Sequence, residues 1–179
     1  MRIEKIILGI LLLFLVSCKT ASQNESITNP IIERNNLKAD KEKIFPFPIG
    51  YVNDYEQIFT KEQSKKLEKL ISDYEKSTTK EIAVVTIDSI EPYDNMKDFA
   101  TDLSNEWRVG KFQKDNGLVI VFSKSLKELR ISTGNNTEKI LTDEICKKII
   151  DSSMVPEFKK GEFYLGIEKG INELIAKWK

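Results

Sequence analysis

The fold is decided by the stretch Ile82-Ala83-Val84-Val85-Thr86-Ile87, which lies near the middle of a chain of 179 residues. All of these residues except Thr86 are apolar, and polar residues do not alternate with them. A strand with one face in water would show such an alternation, so the unbroken apolar run predicts a strand covered by helices on both faces. We therefore expect residues 82–87 to form the central strand of a sheet.

Helical patterns flank this strand on both sides. Before it, a capping box of Thr60 and Gln63 predicts the start of a helix, which carries one apolar face with the spacing i, i+3, i+4 and i+7. After it, Asp94 is the predicted N-cap of a second helix with an apolar face of its own. The apolar positions are Leu67, Leu70, Ile71 and Tyr74 in the first helix, and Met96, Phe99, Ala100, Leu103 and Trp107 in the second.

Two further strands and two further helices are predicted in the C-terminal half. Residues 118–122 are continuously apolar and residues 128–133 alternate, so the two form a hairpin whose second strand lies at the sheet edge. Thr142 begins a third helix, Pro156 stops or bends it, and a last helix carries an apolar face from Phe163 to Trp178. This order predicts a single α/β domain, a three-layer α/β/α sandwich with about four strands and four helices.

The composition excludes several classes of function. The chain has 28 Lys and Arg against 28 Asp and Glu, without a basic patch, so no nucleic-acid partner is expected. Histidine is absent, which removes Ser-His-Asp and Cys-His catalysis and His-based zinc sites. The glycine-rich motifs of nucleotide-binding sites, G-x-G-x-x-G and G-x-x-x-x-G-K-[ST], are both absent from the sequence. Any catalysis must therefore use carboxylates, hydroxyls, Lys, Arg or a metal held by oxygen ligands.

The N-terminus has the features of an export signal. Residues 1–5 include Arg2 and Lys5, and an unbroken apolar run follows from Ile6 to Val16. The run ends at Leu15-Val16-Ser17-Cys18, which resembles the bacterial lipobox. We predict a lipoprotein signal peptide at residues 1–17 and a palmitate-type lipid on Cys18. An uncleaved anchor and an ordinary secretory signal are the alternatives, and both also place the domain across the membrane.

The segment after Cys18 is mostly polar and predicts a flexible tether over residues 18–44. The folded domain is expected to occupy residues 45–179. The predicted location is the bacterial cell envelope, with a lipid anchor in the membrane and the domain facing the periplasm or the exterior.

Six separated motifs of the domain resemble the TPM domain family in order and spacing. They are residues 50–55 (GYVNDY), 81–88 (EIAVVTID), 107–110 (WRVG) with 114–118 (KDNGL), 130–134 (RISTG), 141–143 (LTD) and 155–158 (VPEF). The resemblance implies a Rossmann-like α/β/α sandwich. Roles known in the family include acid phosphatase activity in the thylakoid lumen, photosystem repair, receptor modulation and divalent-metal binding. This chain departs from the family at residues 134–138, which read GNNTE where Gly-Tyr-Gly-Leu-Glu is usual, and Asn136 is able, at some cost, to adopt the left-handed backbone that the missing glycine would adopt.

Four polar residues in predicted loops or at helix starts are candidate metal ligands, namely Asp54, Asp115, Asn116 and Asp143. If they converged at one end of the sheet, their oxygens would suit Ca²⁺ or Mg²⁺. Asp115 or Asp54 is alternatively a candidate nucleophile for phosphoryl transfer. Each is also explained by turn formation, helix capping or backbone hydrogen bonding.

Two arginines are candidate phosphate ligands, because a guanidinium group holds two phosphate oxygens at once. They are Arg108 and Arg130, although Arg130 is equally explained as an exposed strand residue.

Two hypotheses of function follow. The first is a metal-binding interaction or assembly module, monomeric as a soluble domain, held at the membrane by its lipid and bound to an unknown envelope protein. The second is a metal-aided acid phosphatase that uses aspartates. We favour the first, because histidine, the commonest general base, is absent and no D-x-D-x-[TV] motif is present.

Replacement of Cys18 by Ala tests the lipoprotein hypothesis. Lipid attachment and signal-peptide removal should both stop, because the peptidase of the lipobox acts on the modified cysteine. Metabolic labelling with palmitate measures lipid attachment, and the mass of the protein recovered from the membrane fraction measures removal of the signal peptide. A variant that is still cleaved after Ser17 and still labelled would show that the hypothesis is wrong.

Overall fold

The computed structural model describes residues 45–111 and 113–179. The predicted signal peptide, Cys18 and the tether to residue 44 lie outside the described residues. Four strands form one sheet in the order β1-β2-β3-β4, in which β1, β2 and β3 are parallel and β4 is antiparallel to β3. They are β1 (Val52–Asp54), β2 (Glu81–Thr86), β3 (Gly117–Ser123) and β4 (Glu128–Thr133).

Helices cover both faces of the sheet, which confirms the predicted α/β/α sandwich. The helices are α1 (Lys61–Thr78), α2 (Met96–Glu106), α3 (Asn135–Glu138), α4 (Asp143–Ile149), α5 (Val155–Phe158) and α6 (Phe163–Lys177). Helices α1, α4 and α6 pack on one face and α2 packs on the other. In the described part of the chain, no helix is long and apolar enough to cross a membrane.

The burial of β2 explains its unbroken apolar pattern. Ile82 and Val84 point into the core under α1, whereas Ala83 and Val85 point into the core under α2. All the residues of β3 are buried as well. β2 and β3 are thus the two central strands, and β4 lies at the edge as predicted.

The two crossover connections have opposite hands. β1, β2 and β3 follow one another across the sheet in one direction, yet α1 and α2 pack on opposite faces. Val84 packs on the α1 face while its N–H bonds the carbonyl of Tyr51, at 2.7 Å, on the β1 side. In a strand of L-residues that runs upward, a side chain that points toward the viewer has its N–H on the right. With α1 toward the viewer, β1 therefore lies to the right of β2, so the β1-α1-β2 connection moves to the left and is left-handed. Nearly all such units are right-handed. As a result, two consecutive units cover both faces of β2.

The predicted helix starts are mostly confirmed. Thr60 and Gln63 form the capping box of α1, and the Thr142 hydroxyl accepts from Ile145 N–H at the start of α4. The prediction for α2 was wrong by one residue. Asn95, rather than Asp94, is its N-cap, because the Asn95 side chain is the one that accepts from the N–H of Asp98, at 2.9 Å.

The helical segment after α4 continues past Pro156, which was expected to stop or bend it. A π-helical turn (Ile150–Met154) follows α4 directly, and Pro156 then stands in the first turn of α5, where its missing N–H is not needed. Met154 is fully buried in this turn. A Cβ atom at Gly170 would lie 2.7 Å from Met154 Sδ, so this glycine lets α6 approach the turn closely.

Truncation of Met154 to Ala should therefore destabilise the domain by about 2–5 kcal/mol, because it leaves a cavity at the contact with α6. The matched control is Met154→Leu, which conserves volume and should cost less than about 1.5 kcal/mol. Urea unfolding followed by circular dichroism measures both. Equal midpoints for the two variants would contradict this description of the packing.

Candidate functional site

The structure places Asp54 at the carboxyl end of β1, where its carboxylate organises the following loop. Oδ1 accepts from the Thr86 hydroxyl at 2.6 Å and from Ile58 N–H at 3.0 Å, and Oδ2 accepts from Phe59 N–H at 2.8 Å. Thr86 is itself fully buried. Both oxygens of Asp54 thus hold the loop that leads into α1. This is the alternative role given above, in which Asp54 accepts backbone hydrogen bonds rather than binding a metal ion.

Asp115 and Asn116 lie at the opposite end of the sheet. They precede β3, whose Gly117 pairs with Glu81 at the start of β2, whereas Asp54 pairs with Thr86 at the end of β2. Five residue steps along a strand separate the two ends by roughly 16 Å. The expected convergence of the four candidates is therefore wrong, because a residue that precedes a parallel strand lies at its amino end.

Asp143 occupies a third place, beside the edge strand. Its Oδ1 forms an ion pair with Arg130 Nη2 at 3.0 Å, so the candidate metal ligand and the candidate phosphate ligand bind each other. Arg108 is exposed directly after α2. Among the described residues, no group of three or more Cys, Asp or Glu side chains is placed to hold a metal ion.

A cleft between α2 and the end of β4 contains Asp115. It has a volume of about 320 Å³ and is lined mainly by hydroxyl and amide groups. Among the described lining residues, Asp115 is the one acidic residue. The polar side chains around it are Thr101, Ser104, Asn105, Ser132, Thr133 and Asn135. We define this space as the Asp115 cleft.

Part of the polar lining of the Asp115 cleft comes from α2 and β4, which are not consecutive in the chain. Ser132 is buried and pairs with Val119, so it faces α2, and its Oγ lies 3.5 Å from Ser104 Oγ. Neither serine was among the candidate site residues predicted from the sequence. The signal available was a polar residue opposite an apolar one in the hairpin, which indicates a polar pocket only once α2 is known to lie above it.

The backbone around Asp115 is tightly packed. Its carbonyl accepts from the N–H groups of Asn136 and Thr137, at 3.2 and 3.3 Å. A Cβ atom at Gly134 would lie 2.5 Å from this carbonyl oxygen, so only glycine fits there. Asn136 stands in α3 and therefore has a helical rather than a left-handed backbone, and its side-chain Nδ2 donates to Lys114 O at 2.7 Å. Its side chain instead ties α3 to the loop before β3.

An ion cluster lies next to the Asp115 cleft. Lys111 Nζ bonds Glu75 Oε1 at 2.5 Å and also pairs with Glu81, and Tyr51 donates to Glu75 Oε2. The hydrogen bond from Lys111, followed by that from Tyr51, holds the pKa of Glu75 below its ordinary value. Asn116 joins the same network, since its Oδ1 accepts from Lys111 N–H at 2.8 Å and its Nδ2 donates to Thr79 O at 2.8 Å.

Three solved structures with the same fold, each from a bacterium, illustrate the similarity. The N-terminal domain of a P. gingivalis protein superposes with a TM-score of 0.65 at 28% identity, covering 70% of this chain and 80% of that one. BA42 from Bizionia argentinensis gives 0.60 at 23% identity, covering 70% and 88%. The N-terminal domain of cg2496 from Corynebacterium glutamicum gives 0.57 at 15%, covering 75% and 84%. The last two identities show the fold alone.

A comparison with curated protein sequences gives no match. The family model described as the TPM domain matches residues 52–177, which include every strand and helix of the sandwich. The chain therefore belongs to the TPM domain family.

Proposed function

We propose that this protein is a lipoprotein of the bacterial cell envelope whose TPM domain binds Ca²⁺ or Mg²⁺ in the Asp115 cleft and serves there as an interaction module. The lipobox at Cys18 supports the membrane anchor, and the polar segment after it supports a domain held away from the bilayer. The partner in this proposal is an envelope protein that recognises the cleft with its cation.

The observation that carries the metal proposal is the set of oxygen donors around Asp115. Ca²⁺ takes six to eight oxygen ligands, and carboxylate, amide and carbonyl oxygens all serve. The cleft offers one carboxylate, the amides of Asn105 and Asn135, and several hydroxyls. These donors fit a hard cation, but a single charge gives a weak site, with a dissociation constant on the order of 10⁻⁴–10⁻³ M, as in extracellular modules.

Binding is favoured over phosphate hydrolysis by the placement of the other candidates. Phosphoryl transfer to an aspartate needs a second group that donates or accepts a proton. Asp54 lies at the far end of the sheet with both oxygens engaged, and Arg130 is paired with Asp143. Asp115 is therefore left without a second carboxylate among the described residues that line its cleft.

A cation titration of the mature chain, residues 18–179 with Cys18→Ser, tests the proposal. Amide signals of residues 115–117 and 132–135 should shift with Ca²⁺ or Mg²⁺ and reach half-saturation at about 10⁻⁴–10⁻³ M. Asp115→Asn should weaken the affinity at least about tenfold, because the one charged ligand is lost. The matched control is Asp88→Asn, which removes an exposed charge after β2, at the opposite end of the sheet, and should leave the titration unchanged.

Two outcomes would contradict the proposal. Shifts that appear only outside the Asp115 cleft, or no shifts with either cation, would leave Asp115 as a turn residue. Hydrolysis of p-nitrophenyl phosphate by the unaltered chain, abolished by Asp115→Ala, would replace the binding module by the acid phosphatase.

A further inference from the structure

The loop that carries Asp115 has an unusual backbone. Between α2 and β3, the φ angle is positive at Arg108 (54°), Gly110 (112°), Gln113 (65°) and Asp115 (44°). Glycine adopts this conformation freely, but each other residue costs on the order of 1–3 kcal/mol and keeps it only where the surrounding structure enforces it. The loop therefore needs contacts that hold it in place.

Lys111, in the middle of the loop, makes those contacts. Its ammonium group lies between Glu75 of α1 and Glu81 of β2, and it is within 2.5 Å of Glu75 Oε1. The second oxygen of Glu81 accepts from Gly110 N–H at 2.6 Å, so the same carboxylate holds both the side chain and the backbone of the loop. We call these three residues, Glu75, Lys111 and Glu81, the lysine clamp.

Backbone contacts transmit this constraint to Asp115. Lys111 N–H donates to Asn116 Oδ1 at 2.8 Å, and Lys114 N–H donates to Lys111 O at 2.8 Å. The carbonyl of Asn116 accepts from Glu81 N–H at 3.1 Å. The residues on both sides of Asp115 are thus bonded to the clamp or to the strand that carries it.

We propose that Lys111 is a positioning residue for the Asp115 cleft, which it controls from outside by holding the strained loop through the lysine clamp. Lys111 is not among the residues that line the cleft, so its effect is exerted through the loop backbone. The consequence for cation affinity rests on the proposed function of the cleft. The consequence for the conformation of the loop does not.

The electrostatics of the clamp agree with this role. Three groups face the Glu75 carboxylate, namely Lys111 in the loop, Tyr51 just before β1 and Lys76 on the same helix as Glu75. The hydrogen bond from Lys111 is the main cause of the lowered pKa of Glu75. A carboxylate with a depressed pKa in the folded state contributes stability above the ordinary glutamate pKa, and that contribution is lost as pH falls through the depressed value. Acid should therefore loosen the clamp.

The test compares Lys111→Met with Lys114→Met in the mature chain carrying Cys18→Ser. Both variants remove one positive charge from the same loop, but the Lys114 ammonium group contacts the Thr79 hydroxyl at 3.3 Å at an exposed position, whereas the Lys111 ammonium group bridges two carboxylates. Lys111→Met should shift the amide signals of residues 113–117 without any cation present and weaken Ca²⁺ binding about tenfold, the lower end of the range for residues behind a metal ligand. Lys114→Met should do neither, and Lys111→Arg should restore both, because a guanidinium group also bridges two carboxylates.

A second variant keeps the test valid if Lys111→Met does not fold. Glu81→Gln retains an oxygen for Gly110 N–H but removes the charge that pairs with Lys111, so it should reproduce a smaller part of the same shifts. Unchanged amide signals in cation-free Lys111→Met, or in Glu81→Gln, would overturn the positioning role. If the unaltered chain binds no cation, the proposed function fails, and the cation-free signals still decide whether the clamp holds the loop.

Discussion

Burial of β2 and β3 between two helical layers is the constraint on which the rest of the structure depends. Each fully buried Val, Leu or Ile side chain contributes about 1.5–3 kcal/mol relative to its exposed state, and both strands present such side chains to both faces. A strand of this kind needs a helix on each side. The chain supplies α1 and α2 from the two segments that flank β2, and this requires one left-handed connection.

This arrangement also fixes where the chemistry can lie. Strands that run in parallel begin at one end of the sheet and end at the other, so acidic residues before and after strands are separated by the length of the sheet. Asp54 became the organiser of a loop at one end, through its bonds to Thr86, Ile58 and Phe59. Asp115 lies at the amino end of the sheet, in the cleft next to α2 and in the same loop as Lys111 of the lysine clamp. The Asp115 cleft is therefore a consequence of the topology as much as of its residues.

The sequence predicted the features that depend on local pattern. The buried strands, the capping box of α1 and the edge position of β4 follow from residues close together in the chain, and the TPM family follows from the order and spacing of six short motifs. The handedness of the first connection does not, because the same apolar faces are compatible with either hand. The separation of Asp54 from Asp115 depends instead on β1 and β3 running in parallel, because Asp54 ends its strand whereas Asp115 precedes its strand.

The lining of the Asp115 cleft could not be predicted from the sequence either, because its residues come from distant parts of the chain. Ser104 and Ser132 lie on α2 and β4, and a single hydroxyl on a helix or strand carries no signal of its own. Lys111 cannot be distinguished from the other lysines in the sequence, because Glu75 and Glu81 meet its side chain only in the folded structure. Contacts between distant parts of the chain thus decide the site, while local propensity decides the elements.

We propose that Asp115 is the charged ligand of an oxygen-lined cation site at the amino end of the sheet. A crystal structure of the mature chain grown with Mn²⁺, located by its anomalous signal, tests this claim most directly. The account predicts one peak within coordination distance of an Asp115 carboxylate oxygen, about 2.0–2.6 Å for hard cations, between α2 and β4. A peak at Asp54 or at Asp143, with none at Asp115, would contradict it.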